Sequence, residues 1–202
     1  MEAEVQDEPV PEPAREDSVK KVANSVAKNL QDLVQGIPDK HWIQPRGDHR
    51  DGVLSVNFGL QKVGSTLGKA SKDLPEVQDA ILQAARVLAP DLKFTSFILN
   101  YYGPGVGMGL HKDHNLKGDS LQLVFIWGDF EGGQLTLDDG TTEYSVRKGV
   151  YLVDGNVEHE VKKVDGERWS IVTYAKSLNK KTEESIAQLR EWGFPLPEED
   201  LS

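Results

Sequence analysis

From residue 94 onward the chain is a succession of short β-branched and aromatic runs, each closed by a turn signal, and this rhythm restricts the folds open to it. The runs occupy residues 94–102, 121–127, 134–137, 144–146, 150–153, 158–161 and 169–174. Asp139-Gly140 between the third and fourth is a two-residue hairpin signal. Strands this short bury their apolar faces only by closing into facing sheets. Before residue 94, apolar residues recur at helical steps instead. Val19, Val22, Val26, Leu30 and Leu33 mark an amphipathic helix over 18–35, with Asp17 or Ser18 as its N-cap. Val77, Ile81, Leu82, Ala85 and Leu88 mark a second helix. It opens at Asp73-Leu74-Pro75-Glu76, read as a capping box with Pro in the first turn, and stops at Pro90. A strand over 52–58 and a Gly- and Lys-rich loop through Lys72 lie between the helices, with Trp42 anchoring the segment before them to the core. The expected class is α+β: a double-stranded β-helix, or jelly roll, with N-terminal and flanking helices packed on one sheet.

Charge separates the ends from the body. Residues 1–17 hold seven Asp/Glu and one Arg, and residues 181–202 hold six Asp/Glu and two Lys/Arg. The overall charge of -10 therefore sits in the termini, leaving 18–180 balanced at 20 acidic and 20 basic residues. Residues 1–17 are read as a disordered acidic tail, 18–180 as one domain, and 181–202 as a C-terminal helix from Lys180 to Trp192 with a frayed acidic end. With no cysteine, disulfides, thiolate zinc sites and a cysteine nucleophile are excluded. The acidic N-terminus lacks the basic-then-apolar order of a secretory signal, and no apolar run spans a bilayer. A soluble intracellular protein is expected, its compartment, nuclear or cytoplasmic, unresolved.

The chemistry is concentrated around Asn100-Tyr101-Tyr102-Gly103-Pro104-Gly105-Val106-Gly107-Met108-Gly109-Leu110-His111-Lys112-Asp113. On an extended chain, side chains one residue apart share a face, so His111 and Asp113 can grip one ion together. His159 is the best third donor. Two imidazoles and one carboxylate leave open coordination positions, the arrangement that suits non-haem Fe(II) oxygenases. Nine residues past His159, Arg168 and Ser170 share one strand face, where a guanidinium can hold a carboxylate through two parallel hydrogen bonds.

His111-Lys112-Asp113, His159 and Arg168-Trp169-Ser170 together resemble the 2-oxoglutarate- and Fe(II)-dependent dioxygenases, over residues 94–176, the catalytic half of the chain. Asn100, Tyr102, Pro104 and Gly105 ahead of them are similar to the AlkB nucleic-acid repair enzymes, whose Asn and Tyr also contact the co-substrate. Those enzymes carry a second arginine six residues beyond the first, a place held here by Tyr174. The fuller resemblance is to the TET/JBP group, above all its small fungal and algal members. It rests on His111-Lys112-Asp113-His114-Asn115, on Gly128-Asp129-Phe130-Glu131-Gly132-Gly133-Gln134-Leu135, and on Gly166-Glu167-Arg168-Trp169-Ser170-Ile171-Val172. Prolyl-hydroxylase-like enzymes usually have Lys where Arg168 stands.

The resemblance implies Fe(II) on His111, Asp113 and His159, with 2-oxoglutarate and O2 as co-substrates. It places the far carboxylate of 2-oxoglutarate on Arg168 and Ser170, with Asn100 and Tyr102 nearby. The implied reaction is hydroxylation of a C–H bond, and the implied substrate a 5-methylpyrimidine in DNA or RNA, a base that must leave the stack to be reached. Two other readings remain open: a hydroxylase of a protein side chain or small metabolite, and a non-catalytic jelly-roll binding protein with a metal-like loop. Several further residues are set aside. His114 points away from Asp113 on an extended chain, and Asn115 is a turn former or a hydrogen-bonding group near the pocket. Asp138-Asp139-Gly140 is a solvated hairpin, His41 and His49 are surface residues, and Trp127 and Trp169 are core. Lys112, Lys117, Lys162 and Lys163 flank the ligands and are the candidates for phosphate contact.

Overall fold

Among the described residues every strand pairing is antiparallel, and the strands form two sheets between which the chain passes back and forth. The computed structural model describes residues 12–45, 50–61, 67–113, 121–138, 143–146, 148–179 and 181–198. In chain order the elements are α1 (Glu12–Gln35), β1 (Leu54–Gly59), α2 (Lys69–Asp73), α3 (Pro75–Leu88), β2 (Ser96–Tyr102) and β3 (Met108–His111). There follow β4 (Leu121–Gly132), β5 (Leu135–Asp138), β6 (Glu143–Val146), β7 (Gly149–Asp154), β8 (Glu158–Val161), β9 (Val164–Tyr174) and α4 (Glu183–Glu191). The five-stranded sheet has the order β1-β2-β9-β4-β7 and the four-stranded sheet the order β3-β8-β5-β6.

The large sheet is covered on both faces. Leu30 and Val34 of α1 and Ile81 and Leu82 of α3 pack with Phe97, Phe125 and Trp127 on one side. On the other, Val124 and Ile126 of β4 meet Leu135, Leu137, Val161 and Met108 of the small sheet. Burial on both faces explains why β4 reads as a continuous apolar run rather than an alternating one. Trp127 and Trp169 both lie in the helix-side core, and Trp42 packs at 5.8 Å on Trp169. No helix among the described residues is long and apolar enough to cross a membrane.

Several boundaries differ from expectation. α1 begins at Glu12, so Asp17 and Ser18 lie inside the helix instead of capping it. Residues 1–11 lie outside the described residues. A short helix, α2, occupies the end of the expected loop, and Asp73 closes it. No capping box opens α3; Leu74 stands at its N-cap and Pro75 at its first position. His41 is not a surface residue: its side chain is 5% exposed, with Nε2 3.8 Å from the Asp73 carboxylate. β4 and β9 run several residues longer than their apolar cores because they pair with each other as far as Gly132 and Val164. The proposed turn at 139–140, His49, His114, Asn115 and Lys117 lie outside the described residues.

Of the segment after Trp192 expected to fray, residues 193–195 are packed, while 199–202 lie outside the described residues. α4 is capped by Thr182, whose Oγ1 accepts from the Ser185 N–H at 3.2 Å. Beyond it the Phe94 N–H donates to the Pro195 carbonyl at 2.9 Å. Phe194 seats its ring 6.0 Å from Phe94 and 5.8 Å from Phe97. A buried aromatic outweighs the acidic composition around it. Phe194→Ala should therefore cost about 3 kcal/mol in urea unfolding; a frayed tail would cost less than about 0.5 kcal/mol.

Candidate active site

Register, more than proximity in sequence, assembles the site. In the small sheet His111 of β3 stands directly opposite His159 of β8. Their ring centroids are 4.2 Å apart. Each ring places Nδ1 2.8 Å from the backbone carbonyl two residues earlier, Gly109 for His111 and Val157 for His159. A carbonyl only accepts, so each Nδ1 carries a proton and each Nε2 is the ring atom suited to ligating an ion. Asp113 follows two residues after β3, held by its N–H to the Gly155 carbonyl at 2.9 Å. Its Oδ2 lies 3.9 Å from His159 Nε2. One ligand atom from each of His111, Asp113 and His159 falls within 4.8 Å of the others, a spread that one ion can bridge.

Facing these residues, the large sheet presents a second polar patch. Tyr102 of β2 pairs with Arg168 of β9, and Asn100 pairs with Ser170. The four therefore form a block on one face, and all line the cavity that holds the two histidines and Asp113. Arg168 is 1% exposed. Its guanidinium lies 4.7 Å over the Tyr102 ring, and Nη1 donates to Ser170 Oγ at 3.3 Å. Its Nε has no partner, and among the described residues no carboxylate pairs with it. Burial lowers the arginine's affinity for its proton, against the favourable effect of Tyr102. A cation held so deep without an anion is a strong signal for an anionic ligand. Asn100 is oriented by Ser55, whose hydroxyl donates to Oδ1 at 2.6 Å.

Two glycines of the run 128–135 belong to this arginine's setting. A Cβ on Gly128, at φ +127°, would collide with the Glu167 carbonyl beside Arg168. A Cβ on Gly133, at φ +59°, would sit 3.1 Å from Arg168 Cδ. Both positions keep space for β9 and its buried side chain. Part of the glycine-rich run 128–135 thus serves the guanidinium.

Four residues escaped the sequence reading. Gln122 donates from Nε2 to Asp113 Oδ2 at 3.0 Å. Tyr174 stands beside the same carboxylate; burial first, then Asp113, pushes its phenol well above the usual value. Arg50 lines the cavity from the segment before β1, and Ser55 acts through Asn100. Gln122 carried a legible signal, a lone amide within an apolar strand. Arg50 and Ser55 carried none. Of the flanking lysines, Lys162 is paired with Glu160.

No protein-family model matches the chain, and neither does any curated protein sequence. Solved structures do match. An oxidoreductase of the 2OG-Fe(II) oxygenase family from Burkholderia pseudomallei superposes with a TM-score of 0.54 at 15% identity, over 73% of this chain and 76% of that one. A Pseudomonas putida prolyl-4-hydroxylase matches at TM-score 0.44 and 17% identity, over 77% and 86% of the two chains. OsALKBH1 matches at 0.47 and 15%, over 77% and 92%. The first of these shows that the sheets and helices are arranged as in that oxygenase.

Burial first, then the facing His159, pulls His111 down to about 4. Its unfolded value is near 6.5, so between those two values the unfolded chain binds the extra proton. Metal-free stability from this group is present above pH 6.5, falls as pH drops toward 4, and levels off below. Urea midpoints in chelator at pH 7, 5.5 and 4.5 should fall more steeply for wild type than for His111→Asn.

Proposed function

We propose that the chain is a 2-oxoglutarate- and Fe(II)-dependent dioxygenase built on a jelly roll. The observation that carries this reading is the meeting of two groups in one cavity. His111, Asp113 and His159 each bring one ligand atom within 4.8 Å of the others. Among the described residues no carboxylate pairs with the buried Arg168 guanidinium that lines the same cavity. An ion-chelating dicarboxylate fits both at once.

In this reading His111, Asp113 and His159 hold Fe(II), and Arg168 takes the far carboxylate of 2-oxoglutarate. The unpartnered Nε and the lowered cost of pairing an already desolvated guanidinium fit that role. Ser170 and the Tyr102 ring fix the guanidinium plane, and Asn100, held at Oδ1 by Ser55, lines the same pocket. The apolar walls, including Val124, Leu135 and Val161, exclude water and so strengthen these charges. When bound, iron and 2-oxoglutarate with O2 supply oxidation of a substrate C–H bond, the co-substrate leaving as succinate and CO2.

For the substrate the reading is a methylated nucleobase, a 5-methylpyrimidine in DNA or RNA. Its support is the resemblance of residues 111–115, 128–135 and 166–172 to the TET/JBP group. Fold and cofactor do not choose a substrate, so the test must be chemical. Nucleoside mass spectrometry after turnover on methylated DNA and RNA should reveal an oxidised 5-methylpyrimidine. Succinate formation without such a product turns the assignment to a protein side chain or small metabolite.

The reaction class is tested separately. Anaerobic addition of Fe(II) and 2-oxoglutarate should give a weak visible charge-transfer band, and His111→Ala or Asp113→Ala should abolish both the band and succinate formation. Absence of the band, with no thermal shift from either ligand, would leave a non-catalytic binding protein. Arg168→Leu removes a buried charge that is only partly compensated, by the Tyr102 ring and Ser170. The ligand-free variant should be at least as stable as wild type, by up to about 4 kcal/mol. It should also lose the stabilisation of about 2.7 kcal/mol that wild type gains at a hundred times the dissociation constant of 2-oxoglutarate. A variant destabilised without ligand, or protected by it as wild type is, would remove Arg168 from the clamp.

A further inference from the structure

The three candidate ligands are not equally well held. His111 and His159 sit in paired strands, and each ring is tied by Nδ1 to a carbonyl of its own strand. Asp113 lies beyond the end of β3, outside any strand. Its backbone is tied by the hydrogen bond to Gly155, which fixes the main chain but not the carboxylate plane. That plane is set from across the cavity. Gln122, in the second position of β4 and 1% exposed, aims Nε2 at Asp113 Oδ2 over 3.0 Å. The oxygen it binds is the one 3.9 Å from His159 Nε2.

We infer that Gln122 is a positioning residue of the proposed metal centre, its amide setting the direction in which Asp113 offers its carboxylate to the ion. The inference rests on the oxygenase reading and adds a residue to it. Gln122 faces the inter-sheet side with Val124 and Ile126, where an apolar side chain would fill the same space without desolvating an amide. The chemistry of an amide also suits the task. Its N–H donor is neutral at every pH, so it orients the carboxylate without neutralising the charge the ion requires, as a lysine or arginine at this distance would. A neutral donor from the facing sheet thus stands in for the strand pairing that the histidines have and Asp113 lacks.

The test uses the full chain and Co(II), a redox-stable stand-in for Fe(II), followed by calorimetry and visible absorption. Gln122→Leu removes the donor, and Gln122→Glu replaces it with an acceptor of the same shape. Both should weaken Co(II) binding by about 10- to 100-fold and shift the ligand-field bands, with the melting temperature of the metal-free protein recorded alongside. A packing role alone would lower that temperature and leave affinity and spectrum unmoved. Co(II) affinity within threefold of wild type and an unchanged spectrum overturn the inference. If Gln122→Leu does not fold, Gln122→Glu decides by the same two readouts. His111→Ala separates the levels of the claim. Wild type that binds no Co(II), or that His111→Ala matches, sinks the metal centre and Gln122 with it. Binding abolished by His111→Ala but indifferent to both Gln122 variants sinks Gln122 alone.

Discussion

A guanidinium removed from water without a carboxylate beside it is the constraint on which the rest of this molecule turns. Desolvating such a cation costs several kcal/mol, and the protein surrounds Arg168 with partial compensation only. The π-face of Tyr102 lies on one side, the Ser170 hydroxyl takes one N–H, and Nε is left with nothing. Placing the residue there requires β9 to run between β2 and β4, since a sheet edge would expose the arginine to solvent. It also requires glycine at 128 and 133, where any side chain would intrude on β9 or on the arginine stem. The centre of the fold is thus arranged around a group whose charge the described residues only partly offset.

The helices and the second sheet follow from the same strand. Successive residues of β9 point to opposite faces, so Trp169 and Ile171 enter the helix-side core while Arg168 and Ser170 enter the cavity. Core packing and ligand chemistry are therefore interleaved residue by residue, and a slip of one position would exchange them completely. The tight aromatic packing of Trp169 against Tyr101, at 4.6 Å, and Trp42 guards against such a slip.

Much of this was legible in the sequence because it depended on period and type. The short β runs, the His111 and Asp113 pair, and the alternation that sets Arg168 beside Ser170 need only the geometry of an extended chain. What escaped notice depended on contacts between distant segments. Gln122 looks like an irregularity until Asp113 is placed opposite it, and Arg50 comes from a segment with no periodic pattern. α1 already includes Glu12 to Asp17, residues whose composition alone suggested disorder. Phe194 shows the converse, one ring outweighing the acidic residues that follow it. The glycines of 128–135 were legible as a motif but not as to purpose, since only the coordinates show how close β9 comes.

The pairing of His111 with His159 has a mechanical side. β3 is four residues long, lies at the edge of its sheet and leans on β8 alone, through a ladder interrupted between Met108 and His111. Such a strand is a weakly fastened hem. An ion shared by the two imidazoles would act as a rivet through it, tying β3 to β8 across the roughly fifty residues of chain between them. Binding an ion there would then tighten the small sheet as well as equip the cavity.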